Sequence, residues 1–262
     1  MAFSSRSRVL ISRFEFHGMF LPNLKICGIT TYATARFCAE AGAGALGAVF
    51  FKKSPRYVTP QQARVLFEGL SSDVARVGVF VDMPSGELIA AAREALLDTV
   101  QLHGNEPLAD ITAAQQAGLH VVKVLKVTRQ ALLEAARRLP ATIGIMVECG
   151  QGTLPGGNGA GWDWAEAASL AALRPFALAG GLTPRNLVEA ARLSRAVAWD
   201  ISSGVEIAPG RKDHAAILAL TGEAQKIATT QTASFWKPAQ TRHAGPLPTH
   251  TYENTTPPRP IP

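Results

Sequence analysis

Residues 176–204 read FALAGGLTPRNLVEAARLSRAVAWDISSG. Two short apolar runs, 176–179 and 196–202, flank an Ala- and Leu-rich amphipathic segment that opens at Thr183-Pro184. Threonine followed by proline is a helix-start signal, because proline at the first helical position lacks only an N–H that has no partner there. Up to Asp200 and Ser202 at the end of the second, the runs are continuously apolar, as a parallel strand covered on both faces requires. The stretch therefore predicts strand, helix and parallel strand, with glycines or serines after each strand.

The same theme recurs along the chain. Further strand candidates fall at 24–29, 45–51, 75–81, 99–103, 120–127 and 143–149. Helix candidates fill every gap, at 31–41, 60–70, 84–97, 107–116, 129–139, 163–173, 184–192 and 212–227. Thr59-Pro60 and Met83-Pro84-Ser85 repeat the helix-start signal. Eight short strand–helix units in strict alternation predict an α/β fold closed into a single (β/α)8 TIM barrel over residues 23–228. A doubly wound open sheet is the alternative. It normally carries a Gly-rich fingerprint after the first strand, and Cys27-Gly28-Ile29-Thr30 is not one.

Composition narrows the function classes. With 262 residues, 47% hydrophobic and 18% charged, the chain can bury a sizeable core and is neither a disordered protein nor a collagen-like repeat. No apolar run approaches the ~20 residues of a transmembrane helix, so no membrane partner is expected. Three cysteines, Cys27, Cys38 and Cys149, make no disulfide framework; a reducing, cytoplasmic compartment is the simpler expectation. The net charge of +6 is concentrated at the ends, in Arg6, Arg8 and Arg13 and in Lys237, Arg242 and Arg259. The near-neutral middle has no nucleic-acid footprint.

Residues 1–22 are expected to be an unstructured extension. Their Ser- and Arg-rich start suits either an organelle transit peptide or translation that begins at Met19. Residues 229–262 are dense in Thr and Pro without apolar periodicity and read as a disordered tail, for which the sequence names no partner.

Active groups of such a barrel come from the C-terminal ends of its strands. Those ends carry Cys27, the Lys52–Tyr57 segment, His103, Glu148, Gly180-Gly181 and Asp200-Ile201-Ser202-Ser203-Gly204. Gly180, Gly181, Ser202, Ser203 and Gly204 belong to the loops after strands seven and eight, where this fold commonly cradles a phosphate on backbone N–H groups. Tight turns alone are the bland explanation of the glycines; both loops together favour a phosphorylated small-molecule substrate. A thiolate at Cys27 can serve as general base and a carboxyl group at Glu148 as general acid. Cys27 could equally be a small buried hydrophobe, the role expected of Cys38. A carboxylate ending an apolar strand needs a reason, so Glu148 is the stronger signal. Cys149, beside it, stays ambiguous. Arg56 and His103 taken alone read as a solvated charge and a satisfied core histidine. Lys25 and Lys123 are candidates to point into the barrel and pair with carboxylates, and Trp162 and Trp164 flank a cap candidate, Asp163.

Several of these segments form an ordered set: Lys25-Ile26-Cys27-Gly28-Ile29-Thr30, Ser54-Pro55-Arg56-Tyr57-Val58, Val77-Gly78-Val79-Phe80-Val81, Gln101-Leu102-His103-Gly104, Pro155-Gly156-Gly157-Asn158-Gly159, Gly180-Gly181-Leu182 and Asp200-Ile201-Ser202-Ser203-Gly204-Val205-Glu206. The set, spanning 24–227, resembles the phosphoribosylanthranilate isomerase family of tryptophan biosynthesis. The resemblance implies an Amadori rearrangement of N-(5-phosphoribosyl)anthranilate without a cofactor and without a metal. It implies Cys27 as base, Arg56 on the anthranilate carboxylate, Asp200 near the bridging amine, and His103 lining the site. It also implies that the Gly180-Gly181 and Ser202-Ser203-Gly204 backbones hold the phosphate.

Two positions depart from that pattern. Glu148 stands where the family commonly has an aspartic acid, and its extra methylene moves the acid by over an ångström, a displacement that can cost about a hundredfold in rate. Asn158 stands where Thr or Ser is usual, in a glycine-rich loop that would suit a lid. The related histidine-pathway isomerases use carboxylates at both proton-transfer positions, so Cys27 argues against them. Metal-dependent pentose-phosphate epimerases need a His and Asp ligand cluster that is not visible here. A barrel that binds a phosphorylated ligand without turning it over is the third reading, supported only by Glu148.

Overall fold

Successive strand residues point to opposite sides of a sheet, so each short run sends half its side chains inward and half outward. In this chain the outward half is mostly bulky and apolar, and the inward half includes several alanines and the polar strand ends. The computed structural model describes residues 19–126, 129–148, 164–227 and 233–237. Its eight parallel strands are β1 (Leu21–Cys27), β2 (Ala43–Val49), β3 (Ala75–Phe80), β4 (Thr99–Leu102), β5 (His120–Leu125), β6 (Gly144–Glu148), β7 (Ala177–Ala179) and β8 (Ala198–Ile201). They pair in chain order, and β8 closes on β1 with Lys25 opposite Asp200 and Ile26 opposite Ile201.

Helices α1 (Tyr32–Glu40), α2 (Pro60–Leu66), α3 (Ser85–Glu94), α4 (Leu108–Gln116), α5 (Arg129–Arg138), α6 (Ala168–Ala171) and α7 (Leu187–Ser194) connect the strands. The outward residues Leu24, Ile26, Leu46, Leu102, Ile145 and Leu178 pack against their buried faces as one core. At Thr59 the helix-start signal is realised as a full capping box: its side chain accepts from the Gln62 N–H, and Gln62 reaches back to the Thr59 N–H.

The (β/α)8 barrel expected from the sequence is thus the observed fold, with differences at the margins. β1 begins at Leu21, two residues inside the stretch assigned to an N-terminal extension. The seventh helix starts at Leu187 because Thr183-Pro184 opens a turn that Asn186 braces, accepting from Thr183 N–H at 2.8 Å and donating to Gly181 O at 2.9 Å. A small antiparallel hairpin, β9 (Glu206–Ala208) with β10 (Arg211–Lys212), precedes the last helix, α8 (His214–Ile227). The sequence predicts loop and then helix there, since strands this short carry no periodic signal.

The tail assignment needs correction at residues 233–237. Trp236 is fully buried against barrel-lining side chains, and Phe235 packs beside it. A single anchoring aromatic in a Pro- and Thr-rich stretch leaves no periodicity to read. Cys149, the loop 150–161 with Asn158, Trp162, Asp163, residues 1–18 and the rest of the tail lie outside the described residues.

Candidate active site

The C-terminal ends of the strands surround a pocket. Cys27, Arg56, His103, Glu148, Asp200, Gly180, Gly181, Ser202 and Ser203 all line it, together with Gln101 and the apolar Val49, Phe51 and Val79. Gly204 does not line it. It stands behind, where a Cβ would sit 1.8 Å from the Leu182 carbonyl oxygen, so its lack of a side chain lets loops seven and eight pack against each other.

Cys27 ends β1 and lies two residues above Lys25, on the same inward face. Both approach Gly47 on β2: a Cβ there would come 2.8 Å from Cys27 Sγ and 3.1 Å from Lys25 Cε. Burial pushes the Cys27 thiol above its ordinary value; the Lys25 ammonium pulls it down, and Asp200 pushes it up again. Lys25 donates to Asp200 Oδ2 at 2.8 Å with no solvent exposure at all. Burial alone would lower the Lys25 pKa, but Asp200 and Cys27 outweigh it and hold the ammonium charged. The other carboxylate oxygen, Asp200 Oδ1, is buried without a partner among the described residues, as is Gln101 Oε1. Two free acceptors thus stand in a pocket-lining position.

Glu148 ends β6, three strands from β1 around the closed sheet. Its Oε2 lies 2.6 Å from His103 Nε2, and both residues are buried. His103 is fixed in turn by its own backbone: its N–H donates to Phe80 O at 2.8 Å, and its carbonyl accepts from Lys126 Nζ at 3.2 Å. The histidine ring thus contacts the Glu148 carboxyl group directly, a pairing its sequence position did not reveal.

Arg56 rises from the loop after β2, where Ser54 Oγ accepts its backbone N–H at 3.1 Å. Its Nε and Nη2 donate to the two oxygens of Glu206, at 2.9 and 2.6 Å, a bidentate fork. Nη1 is left without a partner among the described residues. Glu206 also accepts from Lys212 Nζ at 2.8 Å, and Lys212 donates to Ser202 O at 2.9 Å. Burial would raise the Glu206 pKa, but Arg56 and Lys212 hold it below the usual carboxylate range. Gly28, at φ +76°, makes the approach possible: a Cβ there would lie 2.4 Å from Arg56 Cδ.

Sequence reasoning missed Gln101, Glu206 and Lys212. The first two sat inside quoted motifs with no chemistry attached, and Lys212 was read as a helix residue. Lys25 pairs with a carboxylate inside the barrel as anticipated. Lys123 pairs with Glu106 at 2.6 Å, but it alternates with the barrel-lining Val122 and Val124 and so points outward, under the β4–α4 loop. Among the described residues no group of three or more His, Cys, Asp or Glu is placed to hold a metal, and no helix is long and apolar enough to cross a membrane.

The backbone loops complete the site. Gly180 and Gly181 have φ of +90° and +68°, conformations that side chains disfavour. Ser202 Oγ donates to Cys27 O at 3.2 Å, tying the eighth loop to the first strand. That corner of the pocket is lined by Gly180-Gly181 and Ser202-Ser203, with Cys27 at the end of the adjoining first strand. Glu148 ends β6, opposite Ala179 of the neighbouring β7.

Comparison with known proteins points the same way. The family model for N-(5′-phosphoribosyl)anthranilate isomerase matches residues 24–222. A protein of that name from Paramagnetospirillum magneticum is 43% identical over 195 residues, covering 72% of this chain and 91% of the relative. Its counterpart from Acidithiobacillus ferrooxidans is 39% identical over 197 residues, 75% of this chain and 94% of the relative. The crystal structure of the Thermotoga maritima enzyme superposes with a TM-score of 0.73 at 35% identity, over 78% of this chain and 98% of its own. A crystal structure of phosphoribosyl anthranilate isomerase in complex with reduced 1-(o-carboxyphenylamino)-1-deoxyribulose 5-phosphate superposes with a TM-score of 0.70 at 34% identity, over 78% and 98%.

Proposed function

The chain belongs to the N-(5′-phosphoribosyl)anthranilate isomerase family, and on that premise we propose that it converts N-(5-phosphoribosyl)anthranilate to 1-(2-carboxyphenylamino)-1-deoxyribulose 5-phosphate, with Cys27 as general base and Glu148 as general acid. The observation that carries the reading is the shared pocket. A thiol and a carboxyl group face it from different sides, and the paired loops of Gly180-Gly181 and Ser202-Ser203 close one corner.

The reaction needs a proton delivered at one atom and removed at another. Glu148 protonates the furanose ring oxygen as its bond to C1 breaks, and the lone pair of the anthranilate nitrogen forms a C1=N bond. Cys27 thiolate then takes the proton from C2, giving an enolamine that tautomerises to the ketone. Asp200 Oδ1, free in the pocket, accepts from the bridging amine. Arg56 presents its unpaired Nη1 to the anthranilate carboxylate while Glu206 holds the other edge of the fork. The amide-rich corner takes the phosphate. His103 keeps Glu148 aimed, which is how the longer acid is accommodated. The raised pKa of Cys27 reduces the thiolate population but makes each thiolate a stronger base. The same reading places the chain in the cytoplasm with no cofactor.

The test is turnover of freshly generated phosphoribosylanthranilate, followed by loss of its fluorescence. Wild-type turnover that disappears in Cys27→Ala, with binding of the reduced product kept within a few-fold, is the expected result. Near-normal turnover by Cys27→Ala would sink the base assignment. Binding without turnover by the wild type would mean a barrel that kept its pocket and lost its chemistry.

A further inference from the structure

Barrel interiors of this fold are filled in layers, mostly by bulky branched side chains. At the N-terminal end of this barrel four of the inward positions are instead alanines: Ala45, Ala75, Ala177 and Ala198. Four alanines from four strands leave a hole that the strands themselves cannot fill, and close packing demands that something fill it. Trp236 does. Its side chain is fully buried among these alanines, Val122 and Met146, although it lies outside residues 24–222, the part of the chain that matches the family model.

The segment around it is fastened at several points. Trp236 Nε1 donates to Asn23 O at 3.1 Å, and Phe235 N–H donates to Asn23 Oδ1 at 2.8 Å. Thr99 Oγ1 donates to the Trp236 carbonyl, and Ser234 Oγ to Pro22 O at 3.0 Å. Lys237 pairs with Asp98 at 2.8 Å and donates to Ser72 O at 2.9 Å. The plug thereby touches β1, β4 and the approach to β3 at once. Above it stands Lys25, whose Nζ lies 5.4 Å from the indole ring centroid, within reach of a cation–π contact. On its other side the same ammonium holds Asp200.

We propose that Trp236 is a positioning residue: it seals the N-terminal mouth of the barrel and, through Lys25, fixes Asp200 and Cys27 at the opposite mouth. This rests on the isomerase reading for its kinetic consequence, though not for the plug itself. Without the indole, water enters from below, Lys25 gains another partner, and the Lys25–Asp200 geometry loosens. Substrate contacts made by Arg56 and the phosphate loops are untouched, so the effect belongs on kcat and not on KM.

The experiment uses the full chain with Trp236→Ala, Trp236→Leu and Trp236→Phe, each checked for folding by circular dichroism. Leucine fills volume without offering a ring face, and phenylalanine restores the ring. The expected result is a kcat about tenfold lower in the Ala and Leu variants with KM within about threefold, and recovery to within about threefold in the Phe variant. On a Lys25→Met background, Trp236→Leu should add less than about a twofold further loss, because the path through Lys25 is already cut. A folded Leu variant with wild-type kcat, or one whose loss is undiminished in the Lys25→Met background, overturns the proposal. Should the wild type prove silent, the isomerase reading falls and the plug is read from Cys27 carboxamidomethylation, followed by peptide mass. A rate altered by Trp236→Leu and restored by Trp236→Phe supports it; identical rates in all three chains overturn it.

Discussion

Cys27 and Glu206 show how charged neighbours set the titration of a single buried residue. Burial, the Lys25 ammonium and the Asp200 carboxylate together leave Cys27 a weaker acid than an ordinary thiol of pKa 9.0. If its thiolate is the base, log kcat/KM should climb close to one unit per pH unit from about pH 7 to about pH 9. A flat profile over that range would count against thiolate catalysis. Lys25, Asp200, Lys212 and Arg56 are the charged groups that set this titration, and Asp200→Asn should shift the rise to lower pH by removing a negative neighbour. Glu206 shares its carboxylate between Arg56 and Lys212. Glu206→Gln leaves two cations side by side and loosens the fork, so KM should rise about tenfold while kcat changes less. A KM within twofold of wild type would show that Arg56 needs no such anchor.

At the scale of elements, loops seven and eight act as one unit because Gly204 lets them touch. Gly204→Ala drives a Cβ into the Leu182 carbonyl, so the two loops must part. Affinity for inorganic phosphate should fall at least about tenfold, with the rest of the barrel still folded. An unchanged phosphate Kd would mean that these loops are not the anion site. The Thr59 capping box, by contrast, fastens α2 with no side chain in the pocket. Thr59→Ala should cost about 1 kcal/mol in denaturant unfolding and leave kcat and KM alone.

For the whole molecule, the two mouths of the barrel are linked by its filled interior. Trp236→Ala removes a large, fully buried side chain packed among alanines, and such deletions cost about 3–5 kcal/mol. The urea midpoint should therefore drop well below that of Trp236→Phe, and equal midpoints would mean that the indole is not a structural plug. The family match ends at residue 222, before this segment.

Much of this was legible from local sequence alone. Apolar runs and helix-start signals repeat every few turns of chain, so eight strand–helix units could be counted, and Cys27, His103, Glu148 and Asp200 could be placed at strand ends. Those properties depend on neighbours within a few residues. The missing information is of another kind. Lys25 meets Asp200 across 175 positions, Arg56 meets Glu206 across 150, and His103 meets Glu148 across 45. Lys123, a candidate inward residue from sequence alone, faces out beside Leu102 and Ile145, its register partners on β4 and β6. Trp236 has a place only because β2, β3, β7 and β8 bring their alanines around one axis. The sequence determined which elements form and which residues stand at their ends; closure of the sheet decided which charges neutralise one another and what fills the axis, because only a closed ring brings such distant positions within hydrogen-bonding and van der Waals reach.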